Sequence, residues 1–501
     1  MSPFAESVRS ILPECLLLAT ACLQFLIGPF LVVEGQAASR KIGRMWSTVS
    51  LAALVAALWV WYEYPVSGST FASATPFRSD PFASFFRGVA IVAGIVLVLI
   101  NWGEIVDDFA AEFHGLLLLI VAGVSLTAAA NDLIVLFLAL ELVSIPTYVF
   151  LYLPRREAGG PEATTKYFLL SIFSSAIVLY GFSFLYGAVG TTHLGTIHQA
   201  LVRAPADKSP AILLIAAACI VAGLSFRVTA VPFHFYAPDV FQGSHAGAGA
   251  LLAFVPKIAG FVALLQILRA GSASELAASS ADSLRIWCAT IFWLMSVASM
   301  FLGNMLALLQ RNLKRLLAYS SIAHAGYMLV GLAVGHRPSA VGGVPALFFY
   351  LIAYGFTISG VFGLLVMLRR GNRTVETVDD LAGLSQTHPA AAAALAILLF
   401  SLTGLPPTAG FLGKLNLLMA AWSQGTSSAE ILAVLLAINA AIAATYYLRI
   451  VAVMYLRPSS VSVETSRHLP TIIGVALCVA VSLGLFFFPS VLWDLVDQFV
   501  A

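Results

Sequence analysis

Glu141, Arg227, Lys257, His324 and Lys414 each sit inside a long apolar run, where an ionisable group is expensive to keep. At mid-bilayer a basic side chain costs at least about 2.5–3.5 kcal/mol on insertion scales, so such a residue marks a functional site by default. Glu141 stands in the run LFLALELVSIPTYVFLYL, about ten residues into its span. Desolvation favours the neutral form of a buried group, and a nearby opposite charge favours the ionised form. A carboxylate beside a cation in a helix bundle is therefore a coupled switch, and Glu141 could form one with Arg227 or with Lys257. The plainer alternative is a static ion pair that holds helices in register. A guanidinium does not lose its proton in proteins, so Arg227 can polarise a neighbour but cannot carry a proton. Lys257 and Lys414 can. His324, near the middle of its run in LLAYSSIAHAGYMLV, belongs to the one side-chain type that titrates near neutrality when unperturbed, and it reads as a relay.

Other ionisable groups read as secondary. His234, just after Pro232, and Lys314, at the start of a run, are accessory candidates. His245 is weaker, and His114, His193, His198, His336, His388 and His468 fall in loops or at span ends, where solvent should reach them. Arg87 lies near the end of its run and is expected to reach the interface along its own stem. Tyr446, Tyr447 and Arg449 read as structural, either an interhelical hydrogen-bonding cluster or an interfacial belt.

The elements that must position these groups are membrane helices. Of the 501 residues, 60% are hydrophobic and 10% are charged, against about 25% charged in soluble domains. Apolar runs long enough to cross a hydrocarbon core of about 30 Å recur from end to end, and with no water to satisfy the backbone they must be helical. Bounded by charges, Gly or Pro, they number fourteen: 11–33, 46–62, 82–101, 114–130, 132–153, 166–188, 210–230, 245–270, 286–308, 314–335, 344–368, 389–422, 430–455 and 470–492. The first lacks a small-residue cleavage site and reads as a retained helix. Cys15, Cys22, Cys219, Cys288 and Cys478 are scattered without a CxxC pair, which speaks against an iron–sulfur or zinc site and leaves them as small buried hydrophobes.

Two spans carry internal breaks. GLSFRVTAVPFHFYAPDV (Gly223–Val240) contains Pro232 and Pro238, and SLTGLPPTAGFLGKLNLL (Ser401–Leu418) contains Gly404, Pro406, Pro407 and Gly410. Proline removes a backbone donor and clashes with the preceding turn, so each helix should be interrupted there. Paired interrupted helices in corresponding positions point to an internally repeated transporter. The repeats fall at 114–270 and 286–455, after an N-terminal three-helix segment (1–113) and before a C-terminal helix (456–501). Each repeat has five spans, so the second enters from the opposite face and the pair is inverted. Basic loop residues divide fourteen to seven, which places both termini outside under the positive-inside rule.

These stretches resemble the antiporter-like subunits of complex I, the NADH:quinone oxidoreductase, and most closely its subunit N. The resemblance is carried by LELVSIPTYVFLYL (Leu140–Leu153), EATTKYFLLSIFSSAIVLYGFSFLYGAVGTT (Glu162–Thr192) and GLSFRVTAVPFHFYAPDVFQG (Gly223–Gly243), together with VPKIAGF (Val255–Phe261), NLKRLLAYSSIAHAGY (Asn312–Tyr327) and SLTGLPPTAGFLGK (Ser401–Lys414). It implies an all-α polytopic fold of fourteen transmembrane helices with two inverted five-helix repeats, each holding a broken helix. It implies no redox cofactor in this chain, with NAD, FMN, iron–sulfur clusters and quinone held by partner subunits. The family's mid-membrane glutamate maps on Glu141, the lysine of its eighth helix on Lys257, the histidine of its tenth on His324 and the lysine of its broken twelfth on Lys414. The family usually has lysine where this chain has Arg227, and it reads PDVYEG followed by Pro-containing residues where this chain reads PDVFQGSHAGAG. The implied function is proton translocation in a bacterial inner membrane, beside other membrane subunits and lipid, with no nucleic acid. The alternative is a subunit of a multisubunit cation/proton antiporter.

Overall fold

The structure, a computed structural model, describes residues 8–31, 36–63, 75–102, 109–153, 159–203, 210–271, 279–335, 342–370, 373–458, 464–465 and 468–500. His336, and Arg155, Arg156, Lys208, Arg337 and Arg467 from the loop-charge reading, lie outside the described residues.

The chain is a helix bundle. An N-terminal group, α1 (Leu12–Ile27), α2 (Gln36–Glu63) and α3 (Pro81–Ile100), leads into α4 (Ala110–Ala129), α5 (Leu133–Tyr152) and α6 (Gly160–Val189). A short α7 (Leu194–Arg203) precedes α8 (Pro210–Val228), α9 (Ala237–Gly243) and α10 (Ala246–Gly271). Next come α11 (Ser279–Leu308), α12 (Leu313–Val334), α13 (Gly343–Met367), a one-turn α14 (Leu384–Thr387), α15 (Pro389–Thr403), α16 (Ala409–Trp422) and α17 (Ser427–Leu456). The last two are α18 (Leu469–Phe487) and α19 (Ser490–Val500). Side-chain caps fix several entries: Asp80 accepts from the Ala83 amide at 2.8 Å, Asp132 from Ile134 at 2.8 Å and Asn312 from Arg315 at 3.0 Å.

Among the described residues, thirteen helices are long and apolar enough to cross a membrane. The fourteenth crossing is the expected span 389–422, which is two half-helices, α15 and α16, in place of one rod. Gly404 ends α15 with φ at 87°, a left-handed conformation that favours glycine, and the chain runs through Pro406 and Pro407 before α16. Gly410 opens α16 against the Ser401 carbonyl, where a Cβ would collide with backbone, and its amide donates to Ser401 Oγ at 3.2 Å. The first break has the same logic: α8 stops at Val228, Thr229 takes φ of 63°, and Pro238 sits in the first turn of α9. In chain order the interrupted helix holds the fourth place in each five-helix block.

Helices α10, α12 and α13 are almost wholly enclosed, whereas α1, α2, α6, α11, α17 and α18 turn an apolar face outward. Two of the ionisable candidates, Lys257 on α10 and His324 on α12, ride on these enclosed helices. At one end, β1 (Leu368–Arg370) pairs antiparallel with β2 (Arg373–Thr374) and β3 (Glu464–Thr465). This small sheet, and the helices α7 and α19, were not legible as spans and were not expected.

Several expectations are corrected. Arg87 does not reach out along its stem: it is buried and forks onto Glu14, Nε to Oε1 and Nη2 to Oε2, each at 2.7 Å. Arg449 is exposed and caps carbonyls of the α11 C-terminus, with Nη2 donating to Gln310 O at 2.7 Å. Lys314, counted among the loop charges, is buried in the first turn of α12 and donates to Ser244 O at 2.6 Å. His114 is buried against Ser47, 2.9 Å away, because α2 packs across the start of α4. Of the cysteines only Cys288 and Cys478 are buried, and Cys22 is exposed on the outward face of α1.

Candidate proton-relay site

Glu141 lies on α5, and its partner is Arg227 from the last turn of α8, not Lys257. Arg227 Nη2 stands 3.0 Å from Glu141 Oε1. The other arm, Nη1, donates to the Leu140 carbonyl at 2.8 Å and to Ser144 Oγ. Ser175 of α6 donates to Glu141 Oε1 and receives a 3.3 Å bond from Arg227 Nη2. The guanidinium is 5% exposed and the carboxylate 21%, so the cation is enclosed while the acid keeps an opening at the bundle surface. Leu140 and Ser144 flank Glu141 on α5, so one arginine grips the helix turn that carries its own counter-ion.

The next residue along α8, Val228, passes the connection on. Its carbonyl accepts from Lys257 Nζ at 2.9 Å, and the same ammonium donates to Ser321 O on α12 at 2.9 Å. Both acceptors are backbone groups with no charge of their own. Lys257 is 0% exposed and has no carboxylate within ion-pair distance among the described residues. That arrangement suits a side chain that changes protonation, because neither acceptor depends on a permanent ammonium.

One turn beyond Ser321, His324 is clasped by two hydroxyls. Its Nδ1 is 2.5 Å from Tyr350 Oη of α13, and its Nε2 is 2.9 Å from Tyr447 Oη of α17. Both ring nitrogens are therefore engaged, and a neutral imidazole between two hydroxyls can accept on one side and donate on the other. Tyr447 in turn contacts Ser320 Oγ. The neighbouring Tyr446 donates to Asn304 Oδ1 at 3.0 Å, and Asn304 Nδ2 donates to Tyr327 Oη at 3.0 Å. Tyr446 and Tyr447 thus form the interhelical cluster and not an interfacial belt. Residue type alone did not reveal Tyr350 and Tyr447 as partners of the histidine.

Lys414 closes the line. It sits on α16, and its ammonium donates to Leu402 O and Thr403 O at 2.8 Å each, the carbonyls freed where α15 ends. The break thus supplies the acceptors for a buried lysine, as unwound carbonyls do for cations in transporters. Its Nζ lies 5.0 Å from the centre of the Tyr327 ring, one turn from His324.

The sequence candidates accordingly form one line: Glu141 to Arg227, through Val228 O to Lys257, through Ser321 O to the turn bearing His324, and past Tyr327 to Lys414. His234 is not part of it; it lies half-buried in the segment between α8 and α9, with Nδ1 unpartnered. Lys314 sits apart, at the start of α12. Sequence reading gave no role to Glu14, fully buried with Arg87 and Ser125, whose signal was an acid inside an apolar run.

No group of three or more His, Cys, Asp or Glu placed to hold a metal ion occurs among the described residues. Fold and site together define a polytopic membrane protein with buried ionisable residues threaded through two interrupted-helix blocks. A model of the family described as NADH:quinone oxidoreductase/Mrp antiporter, TM, matches residues 130–442, and the chain belongs to that family. It is 35% identical over 488 residues to NADH-quinone oxidoreductase subunit N 2 of Rhizobium meliloti (strain 1021), covering 97% of this chain and 96% of the relative. NADH-quinone oxidoreductase subunit N of Rhodospirillum rubrum is 35% identical over 495 residues, covering 96% of this chain and 95% of the relative. A chain of respiratory complex I from Thermus thermophilus superposes with a TM-score of 0.77 at 28% identity, covering 96% of this chain and 98% of that one. A chain of the Mrp complex from Dietzia sp. superposes at 0.78 with 19% identity, covering 100% and 97%, a likeness of fold alone.

Proposed function

We propose that this chain is the proton-translocating membrane subunit of an NADH:quinone oxidoreductase. NAD, FMN, iron–sulfur clusters and quinone belong to partner subunits, whose electron transfer drives the charge rearrangement here. The observation that carries this reading is the line of buried groups from Glu141 to Lys414, linked by contacts and shared helix turns, which crosses both halves of the chain. In it Glu141 holds a proton in balance with the fixed charge of Arg227, Lys257 and His324 relay through the centre, and Lys414 is the terminal exchange site. His234 and Lys314 are accessory. The halves correspond to repeats at 114–270 and 286–455, inverted about the membrane plane, and both termini face the outer side of a bacterial inner membrane. A cation/proton antiporter subunit shares the fold, but the subunit N names of the relatives favour the oxidoreductase.

Lys414→Ala tests the reading. Its ammonium binds carbonyls at a preformed break, so the variant is expected to assemble and to lose pumping in reconstituted vesicles. Normal pumping by an assembled complex would overturn the reading.

A further inference from the structure

The relay leaves His245 unused, although its half-buried ring packs against α4 and α5. It stands just before α10, its ring 5.6 Å from Phe113 of α4 and 5.6 Å from Phe150 of α5. Both ring nitrogens are shut off from the surface, and neither makes a hydrogen bond with any described residue. A neutral imidazole carries one donor and one acceptor, and buried polar atoms in native proteins nearly always find partners in protein or ordered water. The described residues supply none, and water is small enough to meet both. The adjacent Ser244 carbonyl already holds the Lys314 ammonium, so the end of this seam is polar.

The same pattern continues inward. Ser359 Oγ and Tyr354 Oη of α13 and Ser321 Oγ of α12 are buried without a well-formed hydrogen bond, and Ser321 faces Tyr354. These helices pack around α10. Ser321 is also the residue whose carbonyl holds Lys257, which lies about 18 Å further along α10 than His245 at 1.5 Å of rise per residue. Buried hydroxyls thus lie on α12 and α13, the helices packed beside the stretch of α10 that runs from His245 to Lys257.

We infer that His245 is the port of a hydrated proton path that follows the α10–α12–α13 seam to Lys257. The inference rests on the proton-translocation reading above. Water delivers a proton to one ring nitrogen as the other releases its own to the next water, so the ring returns to neutrality after each passage.

The experiment measures the proton-to-electron ratio of the whole complex in vesicles for His245→Phe, His245→Gln and Lys414→Ala. Phe preserves the aromatic slot, and Gln preserves one donor and one acceptor, but neither relays a proton. Both are expected to lose as much of the ratio as Lys414→Ala loses. A normal ratio in the Phe variant would show a packing histidine, and a normal ratio in the Gln variant a static hydrogen-bonding one. Either overturns the port. Should the Phe variant not assemble, the Gln variant decides. If Lys414→Ala lowers the ratio and the His245 variants do not, the port fails and the function stands; if Lys414→Ala leaves it untouched, the function reading itself fails.

Discussion

Arginine at 227 alters what the first half of the molecule can do, because it supplies a permanent charge where a lysine would supply a titratable one. Its two arms divide the work: Nη2 faces Glu141, while Nη1 holds Leu140 O and Ser144 on the same turn. Arg227→Lys keeps the cation and forfeits some of this grip, each lost charge-assisted bond being worth about 1.5–3 kcal/mol. The Lys variant should therefore pump, less well than the parent. Arg227→Met should not pump, since Glu141 loses the counter-ion that sets its balance. The measurement is proton uptake by vesicles at matched levels of assembled complex. Normal pumping by the Met variant would leave the path to Lys257, His324 and Lys414 alone.

At the scale of elements, the N-terminal segment is held by a second carboxylate–arginine–serine set. Glu14 of α1 takes a two-armed grip from Arg87 of α3 and a bond from Ser125 of α4, and it is 0% exposed. Chemically it matches Glu141, Arg227 and Ser175, but it lacks the opening that Glu141 keeps. Its closed geometry suits a lock joining three helices. Removing one partner of a buried pair typically costs about 3–5 kcal/mol, because the other charge is stranded, whereas replacing both by apolar groups is often neutral. Glu14→Ala is thus expected to lower the thermal midpoint of the purified complex and its yield. The double variant Glu14→Leu with Arg87→Met should recover most of both. A single variant as stable as the parent would show that the pair locks nothing.

Over the whole molecule, polar contacts tie the two halves together and clamp a loop within the second. Asp239 on α9 receives Lys166 of α6 and Arg315 of α12, each at 2.7 Å, and so ties the first break to the second block. On the loop after β2, the Leu313 amide donates to Glu376 O at 2.7 Å and the Val378 amide to Arg311 O at 3.0 Å. Asp380 organises that loop, accepting from the Thr377 amide at 2.8 Å and from Arg370 at 2.6 Å. Burial pushes its carboxyl up, but the Thr377 backbone and hydroxyl and the Arg370 guanidinium outweigh this and hold it below its ordinary 3.8. A depressed carboxyl contributes stability above its unfolded value and loses that contribution as pH falls through the folded one. The clamp should therefore be whole above about pH 4 and weaken in stronger acid. Hydrogen exchange of the 376–381 amides should rise below that pH in the parent, and Asp380→Asn should show the faster exchange already at neutral pH. Equal exchange in both proteins at neutral pH would remove Asp380 from the clamp.

How far these features were legible in the sequence follows from range. A run of apolar residues, a proline inside it or a lone lysine within it is a local fact with a local cost, so spans, both breaks and the residues Glu141, Arg227, Lys257, His324 and Lys414 were visible at once. Which groups meet depends on helices far apart in the chain. Nothing local shows that Glu141 pairs with Arg227 and not Lys257, or that two tyrosines clasp His324. Burial likewise escapes local reading: Arg87, His114 and Lys314 lie at the ends of runs, where solvent is the expectation, and packing by neighbouring helices encloses them. Hydropathy placed the helices because the bilayer acts on each residue separately. The partners of the buried charges were decided only by the tertiary structure, because a charge can be satisfied by any donor or acceptor that the fold brings within about 3 Å.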